Sequence, residues 1–162
     1  MDESRANLLF HQTLLRDAVS TLRWGIIGCG DVARRRVARA IIEDDRSELV
    51  SVCRRDAAAL QQFAAEFAVP KTTRDDAELI SDSDIDAIYI ATPVNLHKEQ
   101  TIAAARAGKH VLVEKPMALT AAECTEMIAA CATAGVKLGV AYYRRFYPVV
   151  VRMEEMIRGG TI

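Results

Sequence analysis

The sequence reads as an α/β fold, a doubly wound parallel sheet in a single domain, on three grounds. From Arg23 onward, short apolar runs alternate with longer segments of helical periodicity, as in a parallel sheet covered by helices on both faces. The first apolar run, Trp24-Gly25-Ile26-Ile27, passes straight into Gly28-Cys29-Gly30-Asp31-Val32-Ala33, and Ala33, Val37, Ala40 and Ile41 then repeat at helical spacing. Gly108 and Gly135 each follow a helical run and precede a strand, where glycine readily forms a left-handed C-terminal cap.

In chain order, strands are expected near 23–27, 49–53, 86–91, 110–113 and 137–141, with a weaker one near 70–72. Helices are expected near 32–43, 57–67, 75–81, 96–107, 120–134 and 147–158. The run Asp86-Ala87-Ile88-Tyr89-Ile90-Ala91 is nearly all apolar, which suits a strand covered on both faces and places it centrally. Residues 1–22 carry Leu8, Leu9, Leu14, Leu15, Val19 and Leu22 at loosely helical spacing and read as an N-terminal extension. No repeat or Pro/Gly-rich linker interrupts the core domain, 23–141, and 142–162 reads as a connecting helix.

Composition narrows the function classes. With 51% hydrophobic and 27% charged residues the chain can bury a core, so disorder and fibrous classes drop out. A net charge of -1 and scattered arginines argue against nucleic acid as a partner. The acidic start lacks the order of a signal peptide, and no apolar stretch approaches the about 18 residues of a membrane span. No membrane association and a cytoplasmic setting are therefore expected. Cys29, Cys53, Cys124 and Cys131 form no C-x-x-C pair, so they read as reduced packing residues and no metal site is expected.

The strand–turn–helix context gives Gly28-x-Gly30-x-x-Ala33 a definite chemistry. Gly28 permits the tight turn, Gly30 lets the backbone approach a pyrophosphate, and Ala33 keeps the helix close to the strand. The amides around Cys29, Asp31 and Val32 then face the anion at a helix start, which makes this a dinucleotide-binding, Rossmann-type βαβ unit for NAD or NADP. The acidic residue that binds the ribose 2′-hydroxyl of NAD belongs near the end of the second strand, where Arg54-Arg55-Asp56 stands instead. An arginine there pairs with a 2′-phosphate, so NADP is preferred over NAD. Two other readings stay open: Arg54 and Arg55 as solvated charges with Asp56 capping the next helix, or Asp56 as the ribose ligand, which reverses the preference.

A second constellation follows later strands, at the edge where open α/β sheets bind ligands: Ala91-Thr92-Pro93-Val94-Asn95-Leu96-His97 and Val113-Glu114-Lys115-Pro116-Met117-Ala118. With Gly28-x-Gly30-x-x-Ala33 and Tyr142-Tyr143-Arg144-Arg145-Phe146, these make the sequence resemble the glucose-fructose oxidoreductase and inositol dehydrogenase family, often written Gfo/Idh/MocA. The resemblance spans residues 23 to about 158. It implies an NAD(P)-dependent oxidoreductase acting on a sugar, polyol or related hydroxyl or carbonyl compound. It makes Lys115 the catalytic residue, beside nicotinamide and substrate. It also implies that Thr92, Pro93 and Asn95 line the nicotinamide-ribose side, that Glu114 touches the ribose and that Arg145 reaches the cofactor, while Pro116, by its own restricted backbone, is expected to stiffen the lysine turn. His97 matches the family's histidine, with cofactor contact and a capping or packing role both open. Chemically, an ammonium near the reacting oxygen can donate a proton as a carbonyl takes hydride.

By the same resemblance, family members continue into a mostly antiparallel β-sheet domain that completes the substrate site, and that domain is expected to be absent here, with the chain ending at Ile162. Without it the chain is expected to bind cofactor better than it catalyses. Apolar residues among Tyr142, Tyr143, Phe146, Tyr147 and Val149 to Val151 are then expected to be exposed and to favour homo-oligomers. The alternative to an oxidoreductase is a non-catalytic NAD(P)-binding or sensing module.

Overall fold

A computed structural model describes residues 21–161, so the expected extension at 1–22 lies almost wholly outside the described residues. Six strands form one sheet: β1 (Leu22–Ile27), β2 (Ser47–Cys53), β3 (Lys71–Thr73), β4 (Ala87–Ile90), β5 (His110–Val113) and β6 (Leu138–Val140). Their order is β3-β2-β1-β4-β5-β6 and every pair is parallel. The chain reverses its direction across the sheet between β1 and β4, and this switch point opens a crevice at the carboxyl edge.

Six α-helices make the crossovers and the C-terminal segment: α1 (Ala38–Glu43), α2 (Ala57–Phe67), α3 (Asp76–Ser81), α4 (His97–Arg106), α5 (Ala121–Ala134) and α6 (Pro148–Arg158). Alternate side chains along each strand divide the core. Ile26, Val52 and Tyr89 pack with Ile41, Leu60 and Phe63 of α1 and α2 on one face. Ile27, Cys53, Ile88 and Ile90 pack with Leu79, Ala104 and Met127 of α3, α4 and α5 on the other. Because both faces are covered near β1 and β4, these strands read as continuous apolar runs rather than alternating ones.

The helix expected over 32–43 is not uniform. Ala33–Val37 forms a wide π-type turn before α1, closed by the Ala38 N–H on the Ala33 carbonyl. Ala33 and Ala38 are both 0% exposed. Five residues apart, they would sit about 140° apart around an α-helix. The wider turn brings both small side chains against the sheet and sends Arg35 and Arg36 outward.

At the opposite, amino edge, Arg23 fastens β1 to the residue before β4. Its guanidinium donates to both carboxylate oxygens of Asp86, at 2.8 and 3.0 Å, and its backbone N–H adds a third bond at 3.0 Å. Beyond α1 the first face of the sheet is open. Trp24, Tyr89, Leu112, Val140 and Tyr143 line a groove of about 680 Å³ there. Tyr142, Phe146, Tyr147, Val149 and Val151 are exposed, as the sequence leads one to expect.

Candidate functional site

A cleft of about 600 Å³ lies at the switch point, between the turn after β1, the end of β2 and the loop after β4. Gly28 has φ +88°, and a Cβ there would lie 2.7 Å from the Ala91 carbonyl and 2.8 Å from the Thr92 nitrogen. Only glycine lets the first turn rest on the second loop. At Gly30 an added Cβ would meet no heavy atom within 4 Å. The backbone there borders open space at the cleft, which suits the close approach of a phosphate. The Arg34 N–H bonds the Gly30 carbonyl at 2.9 Å, so the amides of Asp31, Val32 and Ala33 precede the first helical bond. The Cys29 and Ala33 side chains are buried and pack the turn onto the sheet.

Three arginines share the lining with three aspartates, Asp56, Asp75 and Asp76. Arg54, Arg55 and Arg74 all border the cleft. Arg54 Nη1 donates to the Cys29 carbonyl at 2.9 Å, and Arg74 Nε donates to the Arg55 carbonyl at 2.9 Å. Each bond spends one donor of five and leaves the rest of the fork available. Asp56 borders the cleft too, and its Oδ1 accepts the Ala59 N–H at 3.0 Å, so it caps α2. Arg74 carried no motif in the sequence. It reaches the site because β3 lies beside β2, a pairing that no local pattern announces.

Thr92, Pro93, Leu96, Gln100 and Asp76 also line the cleft. Thr92 Oγ1 donates to Gln100 Oε1 at 2.6 Å, and Gln100 Nε2 donates to Asp76 Oδ2 at 2.7 Å. Gln100 and Asp76 were likewise silent in the sequence. Cys53 lies at the floor, and burial, reinforced by Asp76, pushes its thiol up to about 12, which makes it a packing group rather than a nucleophile.

The loops after β4 and β5 are tied to each other. His97, 2% exposed, sets Nε2 2.8 Å from the Thr92 carbonyl and Nδ1 3.1 and 3.3 Å from the carbonyls of Pro116 and Met117. Both ring nitrogens are therefore engaged by backbone, which favours the packing role. Glu114, 7% exposed, accepts the Tyr89 hydroxyl at 2.7 Å through Oε1 and the Lys115 N–H at 2.9 Å through Oε2. Burial, then the Glu114 carboxylate, pushes the Tyr89 hydroxyl well above the usual phenol range. Both Glu114 oxygens hold protein, and the lysine turn is built on them. The Lys115–Pro116 peptide is cis, and the Lys115 side chain is exposed.

The structure thus gathers Gly28, Gly30, Arg54, Arg55, Thr92 and Pro93 into one cleft. Asn95, Lys115, Pro116 and Arg145 stand outside its lining, although they follow β4, β5 and β6 along the same edge. The Arg145 guanidinium lies 5.6 Å over the ring of Phe146. Among the described residues no three His, Cys, Asp or Glu side chains converge as a metal cage needs.

Known proteins agree with this geometry. The profile described as "Oxidoreductase family, NAD-binding Rossmann fold" matches residues 22–142. A 1,5-anhydro-D-fructose reductase from Ensifer adhaerens is 41% identical over 140 residues, 86% of this chain and 42% of the reductase. A mouse trans-1,2-dihydrobenzene-1,2-diol dehydrogenase is 36% identical over 142 residues, 87% of this chain and 43% of the dehydrogenase. The chain therefore spans less than half the length of these relatives. Among solved structures, a 3-ketoreductase from Actinomadura kijaniata in complex with NADP and TDP-benzene superposes with TM-score 0.82 at 29% identity, covering 88% of this chain and 44% of that one. The WlbA dehydrogenase from Bordetella pertussis, in complex with NADH and UDP-GlcNAcA, gives TM-score 0.81 at 33% identity over 87% of this chain and 40% of that one. Turn, sheet order and sequence together show that the chain belongs to the Gfo/Idh/MocA oxidoreductase family, through its NAD-binding Rossmann domain.

Proposed function

We propose that this chain is the dinucleotide-binding part of an NAD(P)-dependent oxidoreductase acting on a sugar, polyol or related hydroxyl or carbonyl compound, with NADP as the preferred cofactor. The observation that carries the reading is the shared edge. A glycine turn opens onto a cleft that three arginines border, and Lys115 follows the neighbouring strand. The residues fit a dinucleotide: open space at Gly30 and first-turn amides suit a pyrophosphate, and Arg54, Arg55 and Arg74 suit a 2′-phosphate. A bound nicotinamide supplies or accepts the hydride. Lys115 holds the proton that the reacting oxygen gains or loses, while Glu114 and His97 position its turn. The 1,5-anhydro-D-fructose reductase and 3-ketoreductase relatives support a carbonyl–hydroxyl substrate of the sugar class.

Paired titrations with NADPH and NADH test the cofactor reading. The wild type is expected to favour NADPH, and Arg54→Ala or Arg74→Ala to weaken NADPH about tenfold or more while sparing NADH. Equal affinities before and after both changes would remove the NADP preference. In a protein with a complete substrate site, Lys115→Ala is expected to abolish turnover and leave NADPH binding intact. Binding without turnover of any sugar or polyol by that complete protein would point to a sensing module instead. A cytoplasmic setting is supported by four free cysteines, and homo-oligomerisation by the exposed apolar residues around Tyr142 and Phe146. Light scattering that gives a clean monomer at high concentration would remove the latter.

A further inference from the structure

The part of the cleft lining around Gln100 has a fixed hydrogen-bond polarity. Gln100 is 6% exposed, and its amide stands between Asp76 and Thr92. An ionised carboxylate only accepts hydrogen bonds, so the Gln100 NH₂ must face Asp76. The Gln100 carbonyl is then the end that faces Thr92, and it too only accepts. The Thr92 hydroxyl proton is therefore spent on Gln100, at 2.6 Å. What Thr92 has left for a ligand is lone pairs, and the Asp76 carboxylate beside it also offers acceptors. Pro93 and Leu96 give the same part of the lining an apolar surface of the kind a flat ring covers. The Arg54, Arg55 and Arg74 side chains of the same cleft offer donors alone. The arginines thus ask for an anion, and the Thr92 group for a ring that carries a donor.

We propose that the Asp76–Gln100–Thr92 chain selects a purine with an exocyclic amine, so that the cleft takes an adenine dinucleotide in preference to its hypoxanthine counterpart. The inference rests on the dinucleotide reading above, adds the base to it, and gives Thr92 and Pro93 to the base in place of the nicotinamide ribose that the resemblance implies for them. The amine of adenine donates to the waiting lone pairs. The carbonyl of hypoxanthine sets lone pair against lone pair and leaves an acceptor unpaired, which a site built for a hydrogen bond rejects. Gln100 acts through Thr92 and is a positioning residue, and Asp76 fixes which way its amide points.

The test compares binding of NADPH and of its hypoxanthine analogue to the chain by calorimetry or nicotinamide fluorescence. The wild type is expected to hold NADPH about tenfold more tightly. Asp76→Asn keeps the shape but supplies an NH₂, which lets the Gln100 amide turn over and returns the Thr92 proton to the cleft. The preference is then expected to shrink below about threefold or to reverse. Gln100→Met keeps the side-chain length without the relay, and the same loss is expected; it also serves should Asp76→Asn fail to fold. Equal affinity of the wild type for the two cofactors, or an undiminished preference in either folded variant, would overturn the proposal. Failure of the wild type to bind NADPH at all would sink the dinucleotide reading itself, and the two failures are distinguishable.

Discussion

Gly28 and Gly30 share one motif but meet different physical demands. At Gly28 the backbone is left-handed and a Cβ would strike the Ala91 carbonyl at 2.7 Å. Gly28→Ala is therefore expected to cost about 3 kcal/mol or more in urea unfolding, from strain and from displacement of the loop after β4. At Gly30 an added methyl meets nothing, so Gly30→Ala is expected to leave stability within about 0.5 kcal/mol and to lower NADPH affinity sharply. Matching unfolding midpoints for the two variants would show that the turn is not packed as described. The motif spacing pointed to both glycines, but only the packed loops separate a folding glycine from a binding one. The same holds for Arg54 and Arg74. The first stands at a strand end where the fold places ribose ligands and was legible. The second depends on the pairing of β3 with β2 and was not.

At the scale of elements, helices and strands fall close to where periodicity and caps put them, and the departures have local causes. The turn at Ala33–Val37 widens so that two alanines five residues apart can both face the sheet. Asp56 and Thr120 cap α2 and α5 by accepting the amides of Ala59 and Glu123, and Gly135 ends α5 in the left-handed conformation. Helix α2 ends instead on Ala68 at φ +52°, an L-residue in a conformation that favours glycine. The side chain is exposed, so nothing is lost by removing it. Ala68→Gly is expected to raise stability by about 0.5–1 kcal/mol, read as a higher midpoint in urea, because the relief of left-handed strain exceeds the added chain entropy. A lower midpoint would mean that the cap is not held in that conformation.

For the molecule as a whole, the amino edge bears the fastening that responds to acid. The Arg23 guanidinium, with its backbone N–H, holds the Asp86 carboxyl below the usual carboxylate range, against a smaller opposing effect of burial. A carboxyl depressed in the folded state binds fewer protons there than in the unfolded chain. Its contribution is complete above about pH 5 and is lost as pH falls below about 4, through the depressed value. Asp86→Asn is thus expected to lower the urea midpoint at neutral pH and to converge with the wild type in strong acid. A constant difference across pH would remove the ion pair from the account. Acid that loosens this edge acts at the amino ends of β1 and β4, whereas the cleft lies at their carboxyl ends.

The α/β class, the central place of Ala87–Ile90, the dinucleotide turn and the strand-end loops that carry Thr92 and Lys115 are legible in the residues alone. Each of these is written in short-range periodicity, in a residue with restricted backbone freedom, or in a motif whose members lie within one turn. Which side chains meet in the cleft depends instead on how distant segments pack. Strand order brings Arg74 beside Arg54, and joins Asp76, Gln100 and Thr92 into one chain across three elements. It also turned His97 and Glu114 into supports of the lysine loop, because a ring or a carboxylate commits its polar atoms to whatever backbone the fold brings within about 3 Å.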